Sequence, residues 1–231
     1  MFFCRSLVAG CSALIWATSA CAQIPGVGTK VGSAIDLEVR SVPLPQGIWT
    51  VVSMEVAAST KQNSITRVFL AELEQGKLWR WLHISTNSGY NPGTWRRNKD
   101  ICDRKNVHFG YSDSNNNDKD AECWIVNHWG QTLGSNPSQA AIGFYRWSDE
   151  LGRPNTSIGT AYFLAKGGDY LTVQYEINPV LAGFPDTPTA VWRGNPWHVD
   201  VASKDPKKLD SLREVKAAGE KYFEQLRTVL H

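Results

Sequence analysis

The sequence predicts an α+β fold, an antiparallel β-sheet meander covered by two helices, one of them C-terminal. Three observations carry that expectation. Through much of residues 34–84, β-branched and aromatic residues gather in short runs broken by turn-forming residues, as in paired antiparallel strands. Lys166-Gly167-Gly168-Asp169 separates two further apolar runs and marks a tight hairpin. After Asp205-Pro206 the apolar period changes to that of a helix.

The elements follow in order. Ile35, Leu37 and Val39 alternate with polar neighbours until Pro43-Leu44-Pro45 interrupts them. Ile48 to Val56 and Ile65 to Leu73 read as paired strands around the polar stretch Ser59 to Ser64. Gln75-Gly76 is a turn signal, and Leu78 to Ile84 continues the meander. Leu78, Arg80, Leu82 and Ile84 fall on one side there, with Trp79, Trp81 and His83 on the other, so both faces are expected to be partly covered. Asn87 to Asp100 reads as a long loop, followed by short strands at Val107–Phe109 and Trp124–Val126. Asn136-Pro137 suits a helix start, with Asn as N-cap and Pro at the first helical position. Ala140, Phe144, Trp147 and Leu151 mark its apolar stripe, and Gly152 and Pro154 stop it. Thr160–Ala165 and Tyr170–Ile177 form the hairpin, ended by Asn178-Pro179. In the last helix Leu209, Leu212, Val215, Tyr222, Phe223 and Leu226 share a face. Lys207 and Lys208 oppose the helix dipole, and Gly219 is an interior flaw that calls for a kink or close packing.

Residues 1–22 read as a cleaved signal peptide: Arg5, an apolar run from Leu7 to Ala17, and small residues at Ala20 and Ala22. Residues 23–231 are then a single mature domain, expected to be periplasmic or secreted. Lipidation at Cys21 is the alternative that would tether it to a membrane, but Thr18 stands where such a signal favours leucine. Cys4, Cys11 and Cys21 belong to the leader, so only Cys102 and Cys123 remain, and in an oxidising compartment they predict one disulfide. Closing that loop is worth roughly 3 kcal/mol on chain-entropy grounds. Without Arg5 the formal charge is one unit below the +2 of the whole chain, with no basic footprint for nucleic acid.

No catalytic, cofactor or metal motif stands out, and neither a cofactor nor a metal is expected. Asp113, Asn115 and Asn117 begin like a calcium loop, but Asp118 replaces the required Gly and Trp124 the closing Glu. A looser cation site at Asp113, Asp118 and Asp120 is outweighed by an Asx-rich solvated turn. His83, His108, His128 and His198 form no short ligand pair. His198 with Asp200 fits a base-and-orienter pair, and no Gly-x-Ser-x-Gly elbow supplies a nucleophile.

Tryptophan is the unusual feature: of ten in the chain only Trp16 belongs to the leader. Trp95 precedes Arg96-Arg97 in one irregular segment, and Trp192, Trp197 and His198 lie in another. Rings on loops beside Arg, Asn and Asp suit a small molecule, a glycan or an envelope protein, and they equally suit large aromatics that pack loops onto a core. Candidate binding residues are therefore Trp95, Arg96, Arg97, His128, Trp192, Trp197 and His198.

Pro43-Leu44-Pro45-x-Gly47-x-Trp49-Thr50, Glu122-Cys123-Trp124-x-x-Asn127-His128 and Tyr175-x-x-Asn178-Pro179-x-x-Ala182-Gly183-Phe184-Pro185 occur together. On these phrases the chain resembles a group of exported proteobacterial proteins with no assigned activity. The resemblance implies an envelope setting and brings no substrate or catalytic residue. The expected function is an exported binding or interaction module with aromatic-lined loops. The alternative is a periplasmic hydrolase using His128 or His198 with a nearby carboxylate.

Overall fold

A computed structural model describes residues 24–58, 64–88, 95–113, 120–188, 192 and 194–230. The leader, Cys21 and Asp118 lie outside the described residues. Ten strands and four helices follow in chain order: β1 (Lys30–Val31), β2 (Ala34–Leu37), β3 (Arg40–Pro43), β4 (Trp49–Ala58), β5 (Ser64–Glu74), β6 (Lys77–Asn87), α1 (Lys99–Cys102), β7 (Phe109–Ser112), β8 (Ala121–Gly130), α2 (Gln139–Ser148), β9 (Thr156–Lys166), β10 (Asp169–Ile177), α3 (Val199–Ala202) and α4 (Pro206–Arg227). Eight strands form one antiparallel sheet in the order β1-β4-β5-β6-β10-β9-β8-β7, and β2 and β3 pair separately. The fold is α+β and mostly sheet. Two meanders, β4-β5-β6 and β7-β8-β9-β10, join through the antiparallel pair of their last strands, β6 and β10. That junction places residues about ninety positions apart side by side, Gln174 opposite His83 and Glu176 opposite Trp81.

The two faces of the sheet are covered differently. α4 lies on one face, where Leu212, Val215, Tyr222, Phe223 and Leu226 join Trp49, Leu70, Ile84, Tyr162 and Val173 in the main core. The β2–β3 hairpin closes on the same side, with Ile35, Leu37 and Val42 buried and the Tyr222 hydroxyl donating to Pro43 O at 2.8 Å. Asp205 caps α4 by accepting from Lys207 N at 3.1 Å and Lys208 N at 3.4 Å. That arrangement compensates for lysines at the positive end of the dipole. Gly219 meets a close approach rather than a kink: a Cβ there would stand 2.6 Å from Thr160 Cγ2. The opposite face carries α2, which packs Ala140 and Phe144 against Val52, Phe69, Ala71, Leu78 and Trp81.

Several local expectations are corrected. α2 starts two residues later than Asn136-Pro137 suggests, because Ser138 takes the N-cap and accepts from Ala141 N at 3.1 Å. Leu78 shares the α2 face with Trp81, since an irregularity where Leu73 pairs with Leu78 and Glu72 with Arg80 makes Trp79 the extra residue of a bulge. Val39 is exposed because Glu38, at φ 49°, turns the chain between β2 and β3. The short strand after the long loop is Phe109–Ser112 rather than Val107–Phe109, and β8 is longer than Trp124–Val126 at both ends. Cys102 and Cys123 are joined in a disulfide with their Cα atoms 5.3 Å apart, which ties α1 to β8. None of the described helices is long and apolar enough to cross a membrane.

Candidate functional site

On the α2 face, the inward positions of the central strands carry polar side chains. Arg67 and Phe69 on β5, Trp81 and His83 on β6, and Gln174 and Glu176 on β10 form a floor. Their places follow from the register, in which Phe69 pairs with His83, His83 with Gln174 and Trp81 with Glu176. α2 covers β4 and β5 and leaves part of the floor open, while the segment after β8 rises beside it. Between them lies a cavity of about 650 Å³, walled by Trp129, Gln131, Phe144 and Tyr145. That volume falls within the usual range for small-molecule sites.

Glu176 is the centre of the floor. It is 5% exposed, yet its carboxylate forms no ion pair among the described residues. Its Oε2 accepts from Gln131 Nε2 at 2.6 Å and from the Ser157 hydroxyl, and its Oε1 accepts from Gln174 Nε2 at 3.0 Å. Burial pushes the carboxyl up to about 7, against donors from Ser157, Gln131, Trp81 and Gln174 that favour the ionised form. Burial likewise pushes the Tyr145 phenol up to about 12, helped by the charge of Glu176, so it stays a neutral donor.

His83 stacks on Phe69 at 4.3 Å, and Phe69 stacks on Phe144 at 4.7 Å. Burial first, and then the nearby Arg67 charge, hold the imidazole down at about 4, so it is neutral at ordinary pH. Its Nε2 is buried without a hydrogen-bond partner among the described residues. Arg67 is engaged by Glu55, whose Oε2 also accepts from Ala140 N at 3.2 Å at the start of α2. Burial opposes ionisation of Glu55, but Arg67 and the Ala140 and Gln139 N–H groups hold it below the usual carboxylate range.

These contacts fix the direction of two amides. An ionised carboxylate only accepts, so in that state the NH₂ groups of Gln131 and Gln174 face Glu176, and their carbonyl oxygens face away from it. The Gln131 carbonyl is met by the Tyr145 hydroxyl at 3.5 Å. The floor therefore offers acceptors, backed by a buried carboxyl that is charged above about pH 7, between aromatic walls. Among the described residues, no group of three or more His, Cys, Asp or Glu is placed to hold a metal ion.

The residues singled out in the sequence occupy two other regions. Trp95 packs on Tyr170, with ring centroids 4.0 Å apart, beside the disulfide cluster. Arg97 donates to Asp103 at 2.9 Å, to Asp113 O at 3.0 Å and to the Ser112 hydroxyl, strapping its loop to β7. Arg96 is exposed. At the other end of β8, Trp192 stacks on His128 at 4.0 Å, and His108 and His198 lie 6.3 and 6.0 Å from the His128 ring. Arg104 covers Trp192 at 4.2 Å. Trp197 is 1% exposed and belongs to the core. Cys123 and His128 are five residues apart on one strand, about 17 Å at the rise of an extended chain. They also face opposite sides of the sheet, so the two regions do not share a cleft.

His128 is fully buried, and neither ring nitrogen makes a hydrogen bond of ordinary geometry. Burial, then the charges of His108, His198 and Arg104, hold it down at about 3, and the Trp192 backbone offsets this only in part. His198 caps α3 by accepting from Asp200 N at 3.3 Å, and its Nδ1 lies 3.5 Å from the exposed Asp200 carboxylate. Comparison with family models, curated proteins and solved structures gives no match.

Proposed function

We propose that the chain works as an exported binding module that admits a small, partly flat, hydrogen-bonding molecule to the pocket under α2. One observation carries the reading. Glu176 is buried beneath an open cavity and holds Gln174, on the same strand, and Gln131, just past the end of β8, with their carbonyls turned away from it. Export rests on the leader pattern, and the Cys102–Cys123 bridge suits an oxidising compartment. The aromatic lining comes from Trp129, Phe144 and Tyr145, while Trp192 and Trp197 serve to hold the segment before α3 against the sheet. A hydrolytic reading at His128 or His198 draws less support. His128 is roofed by Trp192, and the Asp200 that faces His198 is a solvent-exposed residue of a helix cap.

Ligand-detected NMR with a set of small aromatic compounds tests the proposal. Compounds that bind should lose their signal with Ala141→Phe, which fills the cavity from the α2 wall. Hits that persist unchanged in Ala141→Phe, or no hits at all, would overturn it.

A further inference from the structure

The charge balance of the pocket goes beyond its shape. Two side chains able to carry full charge at pH 8 line it, Arg67 and Glu176. Arg67 is neutralised by Glu55, which is itself held by the first turn of α2. Arg153 pairs with Asp149, donates to Gln131 O at 3.1 Å and stacks over the Tyr145 ring at 4.2 Å. Among the described residues Glu176 has no such partner: its hydrogen bonds come from Ser157, Gln131, Gln174 and Trp81, all neutral donors. A carboxylate has about four lone-pair sites, and these donors use them. Above about pH 7 the negative charge therefore remains while its direct contacts are filled. It is relayed to the cavity by the Gln174 and Gln131 carbonyls, whose negative ends point away from the carboxylate. Indole, phenol and phenyl faces from Trp129, Tyr145 and Phe144 complete the lining.

We infer that the pocket is built for a small organic cation, a primary ammonium carried on an apolar or aromatic body. The inference rests on the pocket being the binding site. Ammonium N–H groups donate to the two amide carbonyls, the aromatic faces attract the charge, and the cation supplies the counter-charge that Glu176 lacks. A carboxylate or phosphate ligand would bring a second negative charge against a buried one. A neutral alcohol would make the hydrogen bonds and leave the charge unbalanced.

The experiment compares phenethylammonium, 2-phenylethanol and 3-phenylpropionate by calorimetry and ligand-detected NMR at pH 5.5 and pH 8. The three share a phenyl ring on a short chain and differ in charge. At pH 8 phenethylammonium should bind at least about tenfold more tightly than the alcohol, and the propionate not measurably. Glu176→Gln should bring the ammonium and the alcohol within about threefold of each other, because it removes the charge and keeps the side chain's size.

The unsubstituted protein provides a second readout. The ammonium stays charged across this range while Glu176 titrates near 7, so its advantage should fall severalfold from pH 8 to pH 5.5. The titratable groups facing Glu176 do not mask this, since His83 is held at about 4 and Tyr145 at about 12; the charged groups nearby are Arg67 and Arg153. Equal or tighter binding of the alcohol, binding of the propionate, or an advantage that does not change with pH would overturn the ammonium assignment and leave the pocket standing. No binding by any of the three, together with no hits from the wider aromatic set, would overturn the pocket reading itself.

Discussion

Gly219 offers a direct test of how α4 docks on the sheet. In an isolated helix, replacing an interior Gly with Ala stabilises by about 1 kcal/mol. Here the new methyl would stand 2.6 Å from Thr160 Cγ2 and 3.0 Å from the Tyr162 hydroxyl. Carbon pairs normally rest at about 3.5–4.0 Å, so the overlap is near 1 Å. Neither neighbour yields easily. Thr160 is β-branched and sits in β9, its hydroxyl donates to Tyr162 Oη at 2.7 Å, and Tyr162 donates to Gly219 O at 3.0 Å. Overpacking of this kind costs about 1–3 kcal/mol, toward the upper end where both sides are committed, so Gly219→Ala should lose a net ~1–2 kcal/mol. For a domain of this size that is a drop of about 3–6 °C in Tm. Urea unfolding followed by tryptophan fluorescence, with the disulfide intact, measures it. In a Thr160→Ser background the offending methyl is gone, and the cost of Gly219→Ala should fall by about 1 kcal/mol or more. A rise in stability on Gly219→Ala, or equal costs in the two backgrounds, would refute the close-packing account.

Three further outcomes are expected. Replacing Cys102 and Cys123 together with Ser should cost about 3 kcal/mol, and thiol titration of unfolded, unreduced protein spanning residues 23–231 should detect neither cysteine. His128 titrates at about 3 when folded, against 6.5 as a free group, so the unfolded chain takes up a proton first and stability is lost as pH falls from 6.5 toward 3. His128→Phe removes that loss, so its stability relative to the parent should improve by about 2 kcal/mol between pH 7 and pH 5 in urea titrations. Glu176 has the opposite sign: raised to about 7 from 4.5, it contributes stability that is present below 4.5 and lost as pH rises through 7. Whatever Glu176→Gln costs in hydrogen bonds at pH 5, it should recover by roughly 3 kcal/mol relative to the parent at pH 8.

Much of the fold was legible because its signals are local. Gln75 and Gly76 both adopt positive φ, 52° and 78°, as a tight hairpin demands, and the same dipeptide announces it in sequence. Asp205-Pro206 marks a helix start through a carboxylate that reaches the next N–H groups, again within a few residues. What escaped was either too short or decided by competition. α1 and α3 span four residues each, less than the two turns needed to display a helical period. Asn136-Pro137 and Ser138 both suit a cap, and only the placement of Ala140 and Phe144 on β4 and β5 decides between them. The bulge at Trp79 is set by pairing with β5, so it leaves no mark on the residues of β6 alone.

The pocket was illegible for a different reason. Thr172, Gln174 and Glu176 alternate with Leu171, Val173 and Tyr175, and His83 sits between Leu82 and Ile84. That is the pattern of a strand with one dry face and one wet face, and nothing local distinguishes a wet face from a covered one. The distinction arises when β6 and β10 pair across the two meanders and α2 closes over part of the result. Once covered, the same residues become expensive. A buried carboxyl without a cation, and a histidine with an orphaned ring nitrogen, each cost free energy that an apolar side chain of similar size would not. Phe144 and Trp81 show that this face can be packed with hydrocarbon a few ångströms away. Its failure to be so packed at Glu176 and His83 is the strongest structural reason to look for a ligand there rather than at the loop tryptophans. Trp197 is buried in the core, Trp95 packs on Tyr170, and Trp192 lies between His128 and Arg104. Those three rings have protein partners already, whereas Glu176 has no cationic partner among the described residues.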